Sequence, residues 1–201
     1  MQTTCHYQSP LGDILLVSDE QGLCGLWFED GRYYADTVED DAQPGTSPAL
    51  DQARRWLDEY FAGQAPTWLP PLHVQGTPFQ RQVWEQLLTI PYGHLVTYGE
   101  LAKRVAKLRH RTSMSAQAVG NAVGKNHLSL FIPCHRVIGT HGNLTGYGGG
   151  LERKIALLEL EGHLASDFSW PANFLNKGGA PLLYLSYNQD NAKRRESAPC
   201  Y

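Results

Sequence analysis

The sequence predicts an α/β protein of two domains, a small strand-rich domain followed by a helical one. Three observations lead to this prediction: short apolar runs near the N-terminus, helices with clear start signals further along, and a change of charge between the two parts. The chain has 201 residues, which is enough for two small domains that each bury a hydrophobic core.

The first part has the pattern of two strands joined by a tight turn and followed by a helix. The apolar runs 14–17 and 23–28 are as short as strands, and the polar stretch 19–22 between them predicts a hairpin. The helix is predicted to begin at the N-cap Ser47 and to end at Gly63. Residues 66–71 contain three prolines and are predicted to be a linker.

The second part is predicted to be mainly helical. Thr77-Pro78 starts one helix, and Thr97 with Glu100 has the capping-box spacing that starts the next. The remaining segments are a basic loop (103–111), a helix rich in small residues (about 113–124), a glycine-rich loop (142–150) and an amphipathic helix (151–161). Two short helices joined by a turn suggest a helix-turn-helix, although ordinary packed helix pairs have the same pattern.

Charge is distributed unevenly along the chain. Residues 1–77 hold 3 basic and 12 acidic side chains, whereas residues 78–165 hold 10 basic and 5 acidic ones. Either the basic part binds a polyanion, or the surface is simply uneven in charge with no such partner. We therefore divide the chain into an N-terminal domain (1–76), a basic, mainly helical domain (77–165) and a flexible tail (166–201).

Two absences in the sequence bear on location. No apolar run is long enough to span a membrane, and the N-terminus lacks the basic-then-apolar pattern of a secretory signal. A cytoplasmic monomer is expected.

The segment 133–137 carries the residues best suited to chemistry. Cys134 is followed by His135 and Arg136, and cationic neighbours favour the nucleophilic thiolate. An acid is still needed to orient the histidine, and Glu161 is a candidate that spacing alone does not select. The alternative is a buried structural cysteine, which is the commoner role of a free thiol.

The motif Pro-Cys-His-Arg-Val at 133–137 resembles the active-site motif of the O6-alkylguanine-DNA alkyltransferases, the methylated-DNA–protein-cysteine methyltransferases. The resemblance is strong over about 77–162 and weaker over 7–28. The other segments that resemble the family in order and spacing are 77–84, 90–93, 96–102, 118–120, 146–151 and 158–162, with 9–12 and 20–23 in the weaker part.

The resemblance implies a fold and an activity. It implies a small ribonuclease-H-like N-terminal domain and a helical, winged-helix-like C-terminal domain whose helix-turn-helix enters the minor groove of double-stranded DNA. The damaged base is flipped out of the duplex, because its alkylated oxygen lies within the stack. The alkyl group of O6-alkylguanine, and by the same chemistry of O4-alkylthymine, then passes irreversibly to the protein without any cofactor.

The resemblance also implies residue roles. Cys134 is the acceptor, His135 acts as its base through a water, and Glu161 orients His135. Asn126 braces the turn that carries the cysteine, and Tyr98 donates towards the flipped guanine. The residues implied to contact substrate or DNA are Gln117, Ala116, Gly120, Arg136, Tyr147 and Gly148.

This chain departs from the family pattern in two places. Many members have an arginine that fills the gap left by the flipped base, and Gln117 stands there instead. The family's Asn-Pro step is Asn126-His127 here. Some members bind a structural zinc, but the spacing of Cys5, His6, Cys24 and His73 is not that of a recognised finger, so no metal is predicted.

Three other functions compete with alkyl transfer. Alkyltransferase-like proteins bind lesions without reacting, but they replace the acceptor cysteine that is present here as Cys134. A cysteine hydrolase of another fold would turn over, whereas an alkyl acceptor stops after one event per chain. A simple DNA-binding regulator leaves Cys134 unexplained.

Overall fold

The computed structural model describes residues 1–170, which form two compact units that divide between Gln75 and Gly76. This division lies one residue from the predicted boundary. The first unit contains a four-stranded sheet and the second is mostly helical, so the predicted α/β class is confirmed. No helix within residues 1–170 is both long and apolar enough to cross a bilayer. The predicted tail from residue 171 onward lies outside the described residues.

The first unit is built on a sheet with the strand order β3-β2-β1-β4. Antiparallel pairing joins β1 to β2 and β2 to β3, whereas β4 is parallel to β1. The predicted hairpin is confirmed at the turn after Asp19, whose carboxylate accepts hydrogen bonds from the amides of Gln21 and Gly22. The strands are β1 (Thr3–Ser9), β2 (Gly12–Asp19), β3 (Gly22–Phe28) and β4 (Gln43–Pro44).

Helix α1 (Pro48–Phe61) packs on this sheet. It begins as predicted at Ser47, whose hydroxyl accepts a hydrogen bond from the Leu50 amide. It ends just before Gly63, whose φ of 79° is the left-handed conformation that glycine adopts without strain. Strands β2 and β3 are buried on both faces, because α1 lies on the sheet and Ala35 and Val38 pack against the cluster of Leu15, Val17, Cys24 and Trp27.

Residues 66–71 do not form the predicted linker but belong to the first unit. The Trp56 indole donates to the Trp68 carbonyl (2.8 Å), and the Trp68 indole donates to Glu59 (2.9 Å). The Leu23 amide donates to the Pro71 carbonyl at 2.8 Å. This close approach requires Gly22, because a Cβ there would lie 2.5 Å from the Pro71 oxygen. The proline content predicted a linker but did not indicate the tryptophan contacts that hold the segment against α1.

The second unit contains four helices and a short parallel pair of strands. The predicted capping box of Thr97 with Glu100 is present, and the predicted helix start at Thr77 is confirmed, where Thr77 forms a second capping box with Gln80. The Trp84 indole donates to the Ala122 carbonyl at 2.8 Å and ties two of the helices together. The elements are α2 (Pro78–Leu88), β5 (Val96–Thr97), α3 (Tyr98–Leu108), α4 (Ala116–Gly124), β6 (Val137–Ile138) and α5 (Leu151–Leu160), with β5 parallel to β6.

Helix α3 is longer than predicted. Lys103 and Lys107 lie on the helix rather than in the predicted basic loop, because Val105 and Ala106 continue its buried face. The Arg111 amide donates to the Ala106 carbonyl (2.9 Å) and closes the helix end. The connection to α4 is therefore 109–115, and α4 begins after the N-cap Ser115.

The packed part of the second unit continues past the predicted end at residue 165. Phe168 is only 7% exposed and packs with Ile138, Leu144, Ile155 and Leu158. The Leu144 amide donates to the Ser169 carbonyl at 2.9 Å. Residues 166–169 therefore belong to the domain and not to a tail. Phe168 is a single aromatic residue outside any helical or strand periodicity, so no sequence pattern assigned it to the core.

Replacing Phe168 by alanine should destabilise the second unit by about 3 kcal/mol, because a large buried side chain is lost and a cavity remains. Denaturant unfolding of the full chain measures this change. The exposed neighbour Ser166 is the matched control, and Ser166→Ala should alter the unfolding free energy by no more than about 0.5 kcal/mol. Equal stability of the Phe168→Ala variant and the unchanged protein would contradict the assignment.

Candidate active site

Cys134 lies at the start of a single 3₁₀ turn, Cys134–Arg136, that follows Pro133. The approach to this turn is tightly wound. The Ile132 amide donates to the Leu128 carbonyl (2.9 Å), and the Cys134 amide donates to the Ile132 carbonyl (2.8 Å). Leu130 takes a φ of 73° to allow this path. The backbone therefore holds the cysteine in a fixed direction.

Asn126 connects this turn to the sulfur. Its side-chain nitrogen donates to the Ile132 carbonyl (2.8 Å) and to the Cys134 sulfur (3.2 Å). Its side-chain oxygen accepts from the Leu128 amide at 3.0 Å. One amide side chain thus holds both ends of the segment 128–132 and donates to the thiol.

The Cys134 thiol is 6% exposed. Burial raises its pKa, because the thiolate is less well solvated inside the protein, and hydrogen bonds from Asn126 and Ser129 oppose that rise. The Ser129 hydroxyl lies 3.9 Å from the sulfur. The charge of Lys154 opposes the rise as well.

His135 is fully buried and paired with Glu161 at the end of α5. The Nε2 atom of His135 lies 2.8 Å from a carboxylate oxygen of Glu161. Burial lowers the pKa of His135, and the hydrogen bond and charge of Glu161 oppose that change. Burial alone would raise the pKa of Glu161, but His135 and Arg136 outweigh it, so this pKa lies well below its ordinary value.

Arg136 is placed differently from what the family resemblance implies. It is 8% exposed, and its guanidinium donates to both Glu161 oxygens (2.9–3.1 Å) and to the Ile90 carbonyl (2.7 Å). The Gly93 amide donates to the same carboxylate at 3.0 Å. With its donors committed inside the protein, Arg136 is unsuited to contact DNA and instead braces the site.

Tyr98 and Tyr147 both lie near the sulfur. Burial raises the pKa of each phenol, and the charge of an ionised Cys134 adds to both rises. The Tyr147 hydroxyl is buried, and a hydrogen bond with the Ser129 side chain opposes the rise in its pKa. A Cβ on Gly148 would meet no atom within 4 Å, so this residue borders open space.

The residues implied to contact DNA lie on α4 and its start. Ala116 and Gln117 are exposed in its first turn. Gly120 packs against Tyr98, and a Cβ there would lie 3.6 Å from the ring. The structure thus brings Cys134, His135, Glu161, Asn126, Tyr98 and Tyr147 together and leaves Ala116 and Gln117 at the surface.

Sequence reasoning missed Lys154, Ser129 and Gly93. The signal for Lys154 was present, because Leu151, Lys154, Ile155 and Leu158 form one helical stripe and a lysine there must face the core. Ser129 and Gly93 gave no such signal. Their contacts join residues that are close in space only after the turns have formed.

Three of the four zinc candidates, His6, His73 and Cys24, contact other groups of the first unit. His6 faces Glu29 at 3.2 Å, and His73 faces Asp19 at 2.5 Å. Cys24 donates to the Val17 carbonyl. Within residues 1–170, no three His, Cys, Asp or Glu side chains are grouped to hold a metal ion, so the candidates do not fit a zinc site.

Two family models and several curated relatives match most of this chain. The family model described as the 6-O-methylguanine DNA methyltransferase ribonuclease-like domain matches residues 5–72, and the DNA binding domain of the same description matches residues 78–163. A Methanosarcina acetivorans methylated-DNA–protein-cysteine methyltransferase is 40% identical over 156 residues, covering 78% of this chain and 96% of that protein. Its counterpart from Mycobacterium leprae is 43% identical over 155 residues, covering 77% and 89%.

Solved structures agree with this assignment. The crystal structure of Mycobacterium tuberculosis OGT in complex with DNA superposes with a TM-score of 0.68 at 39% identity, covering 86% of this chain and 96% of that one. The M. tuberculosis O6-methylguanine methyltransferase gives 0.68 at 37% identity, covering 88% and 99%.

A ribonuclease-like domain followed by a DNA-binding domain with a buried, hydrogen-bonded cysteine defines a class of DNA-directed methyltransferases. Within that class, the chain belongs to the 6-O-methylguanine DNA methyltransferase family, whose curated relatives are methylated-DNA–protein-cysteine methyltransferases.

Glu161→Gln should destabilise the protein by about 3 kcal/mol at pH 7, because Arg136 would remain buried without a counter-charge. The pKa of Glu161 in the folded chain lies below its ordinary 4.5, so its contribution is fully present above that pH and is lost as the pH falls. The stability difference between the two proteins should therefore begin to shrink below about pH 4.5.

Urea unfolding at a series of pH values measures this difference. The exposed Glu152 in the first turn of α5 is the matched control, and Glu152→Gln should show no comparable pH-dependent difference. A gap between Glu161→Gln and the unchanged protein that stays constant down to pH 3 would refute the pairing argument.

Proposed function

We propose that this chain repairs DNA by moving the alkyl group of O6-alkylguanine directly and irreversibly onto Cys134, and that O4-alkylthymine reacts by the same chemistry. One observation carries the proposal. The buried Cys134 thiol accepts a hydrogen bond from Asn126, and the next residue, His135, is paired with Glu161. Family membership supplies the substrate class, since the curated relatives are methylated-DNA–protein-cysteine methyltransferases.

The reaction needs a thiolate and a way to neutralise the departing base. His135, kept neutral by burial and oriented by Glu161, takes the thiol proton through a water. The sulfur attacks the alkyl carbon, a sulfur–carbon bond forms, and the bond from that carbon to O6 breaks with its electron pair leaving on guanine. The base regains a proton, for which the Tyr98 hydroxyl is the proposed donor. No step of this reaction regenerates the thiol, so each chain acts once.

The base-binding pocket is proposed to lie between the thiol and Tyr147. The Tyr147 hydroxyl is buried close to the thiol, and Ser129 is the polar side chain that acts on it. A flipped guanine offers both donors and acceptors for this hydroxyl. The open space beside Gly148 leaves room for the base.

The DNA surface is proposed to be a winged-helix-like helix-turn-helix made of α3, the connection 109–115 and α4. Helix α4 carries no charged side chain, and its small residues allow close approach to a narrow minor groove. The M. tuberculosis OGT structure contains DNA, which supports a duplex partner. A monomeric state and a cytoplasmic location are further parts of this proposal.

A cysteine hydrolase remains the chemically distinct alternative, and stoichiometry separates the two. A hydrolase releases product repeatedly, whereas an alkyl acceptor keeps the group. The non-reactive lesion binders are disfavoured because Cys134 is present and buried beside His135.

Incubation with an oligonucleotide that contains O6-methylguanine should add one methyl group to each chain. Intact-mass spectrometry measures the addition, and peptide mapping should place it on the peptide that contains Cys134. The Cys134→Ser variant should gain no mass. Sustained turnover, or a label on Cys24, would rule out the proposal.

Gln117→Ala should slow repair of duplex DNA by about tenfold or more and leave reaction with free O6-methylguanine base within about twofold. Extruding a paired base costs a few kcal/mol, and a side chain that fills the gap recovers part of that cost. The free base needs no extrusion. Single-turnover rates on both substrates measure the effect, and Gln117→Arg should retain or improve duplex repair.

The exposed Asn121 on the same helix is the matched control, since Asn121→Ala removes a similar amide without opening the base gap. Equal slowing of the Gln117→Ala variant on both substrates would place Gln117 in support of the pocket instead. No effect on either substrate would mean that Gln117 does not fill the gap.

A further inference from the structure

Lys154 on α5 is a fully buried lysine that no step of the proposed reaction uses. Its side chain is 0% exposed, and its ammonium donates to the carbonyls of Val137 (2.6 Å) and Thr145 (3.4 Å). Both of these partners, which lie within residues 1–170, are carbonyl groups and not carboxylates. A lysine is almost never fully buried without a counter-charge, so its position needs an explanation.

The buried charges around the thiol balance only when the thiol is ionised. In the described residues the buried charged side chains are Arg136, Lys154 and Glu161, and Glu161 is fully engaged by Arg136 and His135. With His135 neutral and Cys134 protonated, this interior carries one excess positive charge. Ionising Cys134 removes the excess once the thiol proton has passed through His135 to solvent.

We infer that the Lys154 ammonium is the buried counter-charge of the Cys134 thiolate and holds the acceptor sulfur in its reactive form. It acts as a positioning residue, because it is tied to the carbonyls of Val137 and Thr145 and acts on the sulfur through the low-dielectric interior. The role of that thiolate in repair rests on the proposed function, whereas the pairing itself does not.

The direction of the electrostatic effects supports this pairing. Burial lowers the pKa of Lys154 to about 8, and the charge of Cys134 acts to raise it. The effect is mutual, since the charge of Lys154 opposes the rise in the pKa of Cys134. An ammonium group with a pKa of about 8 is mostly charged at neutral pH.

The other ionisable groups near the sulfur do not supply this charge. Burial lowers the pKa of His135 and raises those of Tyr98 and Tyr147, so all three are neutral near pH 7. The charge of Arg136 is compensated by Glu161. Arg153 is only half-buried, and its guanidinium donates to the Gly149 carbonyl. Lys154 is therefore the cation best placed to stabilise the thiolate.

Titration of the Cys134 thiol in the full-length protein tests the inference. Thiolate absorbance near 240 nm is followed against pH, and the same titration of a Cys134→Ser variant is subtracted. Lys154→Met and Lys154→Gln should both raise the thiol pKa by about one unit or more, because each removes the cation. Lys154→Gln keeps a hydrogen-bond donor for the carbonyls, so it separates charge from packing.

Two further variants serve as controls. Lys154→Arg keeps the charge and should keep the thiol pKa within about half a unit of the original, and the exposed Lys107→Met should leave it unchanged. At pH 7 the rate with free O6-methylguanine base should fall about tenfold in Lys154→Gln, since the thiolate fraction falls tenfold for each unit of pKa. That rate should recover at higher pH.

The outcomes separate this inference from the proposed function. A folded Lys154→Gln variant with an unchanged thiol pKa would overturn the inference, and so would an equal shift in Lys154→Arg. If the thiol pKa shifts as expected but no alkyl group is ever transferred, the pairing stands and the proposed function fails.

Discussion

The organisation of the second unit depends on one buried carboxylate, that of Glu161. It accepts hydrogen bonds from His135, from the guanidinium of Arg136 and from the amide of Gly93. Burying a carboxylate is expensive unless its lone pairs are satisfied and a cation is close, and both conditions hold here. The group connects the end of α5, the 3₁₀ turn and the turn after α2, so loss of this one charge affects three segments.

The same carboxylate has two tasks that oppose each other electrostatically. Arg136 neutralises it, which makes its burial tolerable, and the charge of Arg136 also acts to lower the pKa of His135. Glu161 acts to raise that pKa through its hydrogen bond. Burial is the largest effect and leaves the imidazole neutral, which is the form able to accept a proton. Burial, with a smaller contribution from the charge of Arg136, therefore keeps the histidine from becoming a permanent cation beside Glu161.

Local signals in the sequence predicted most of the helix starts. Ser47, Thr77 and Thr97 cap helices as expected, because a capping hydroxyl acts only on amides within its own first turn. The hairpin after Asp19 was predictable for the same reason. Where pattern and structure differ, as at Trp68 and Phe168, distant contacts decide the outcome, and no period in the sequence encodes them.

In the candidate site, too, residues adjacent in sequence could be predicted, whereas contacts between residues far apart in sequence could not. The pair Cys134-His135 is visible in the sequence, but the choice of Glu161 as the acid came from family resemblance and its geometry from the structure. Arg136 illustrates the limit of such transfer. The family resemblance implied that Arg136 contacts substrate or DNA, whereas its guanidinium is used inside the domain. Lys154 was recognisable only as a lysine in an apolar stripe.

Helix α4 links the surface to the sulfur over a short distance. Gln117 lies in its exposed first turn, and Asn126, which contacts the Cys134 sulfur, lies just past its C-cap. Nine residues separate the two, and at 1.5 Å per residue a helix of that length spans roughly 13 Å. Gly120, midway along the helix, packs against Tyr98 and keeps the helix close to the pocket wall. A Cβ at position 120 would lie at ordinary van der Waals distance from the Tyr98 ring, so α4 and Tyr98 are in close contact at a point where the helix carries no side chain.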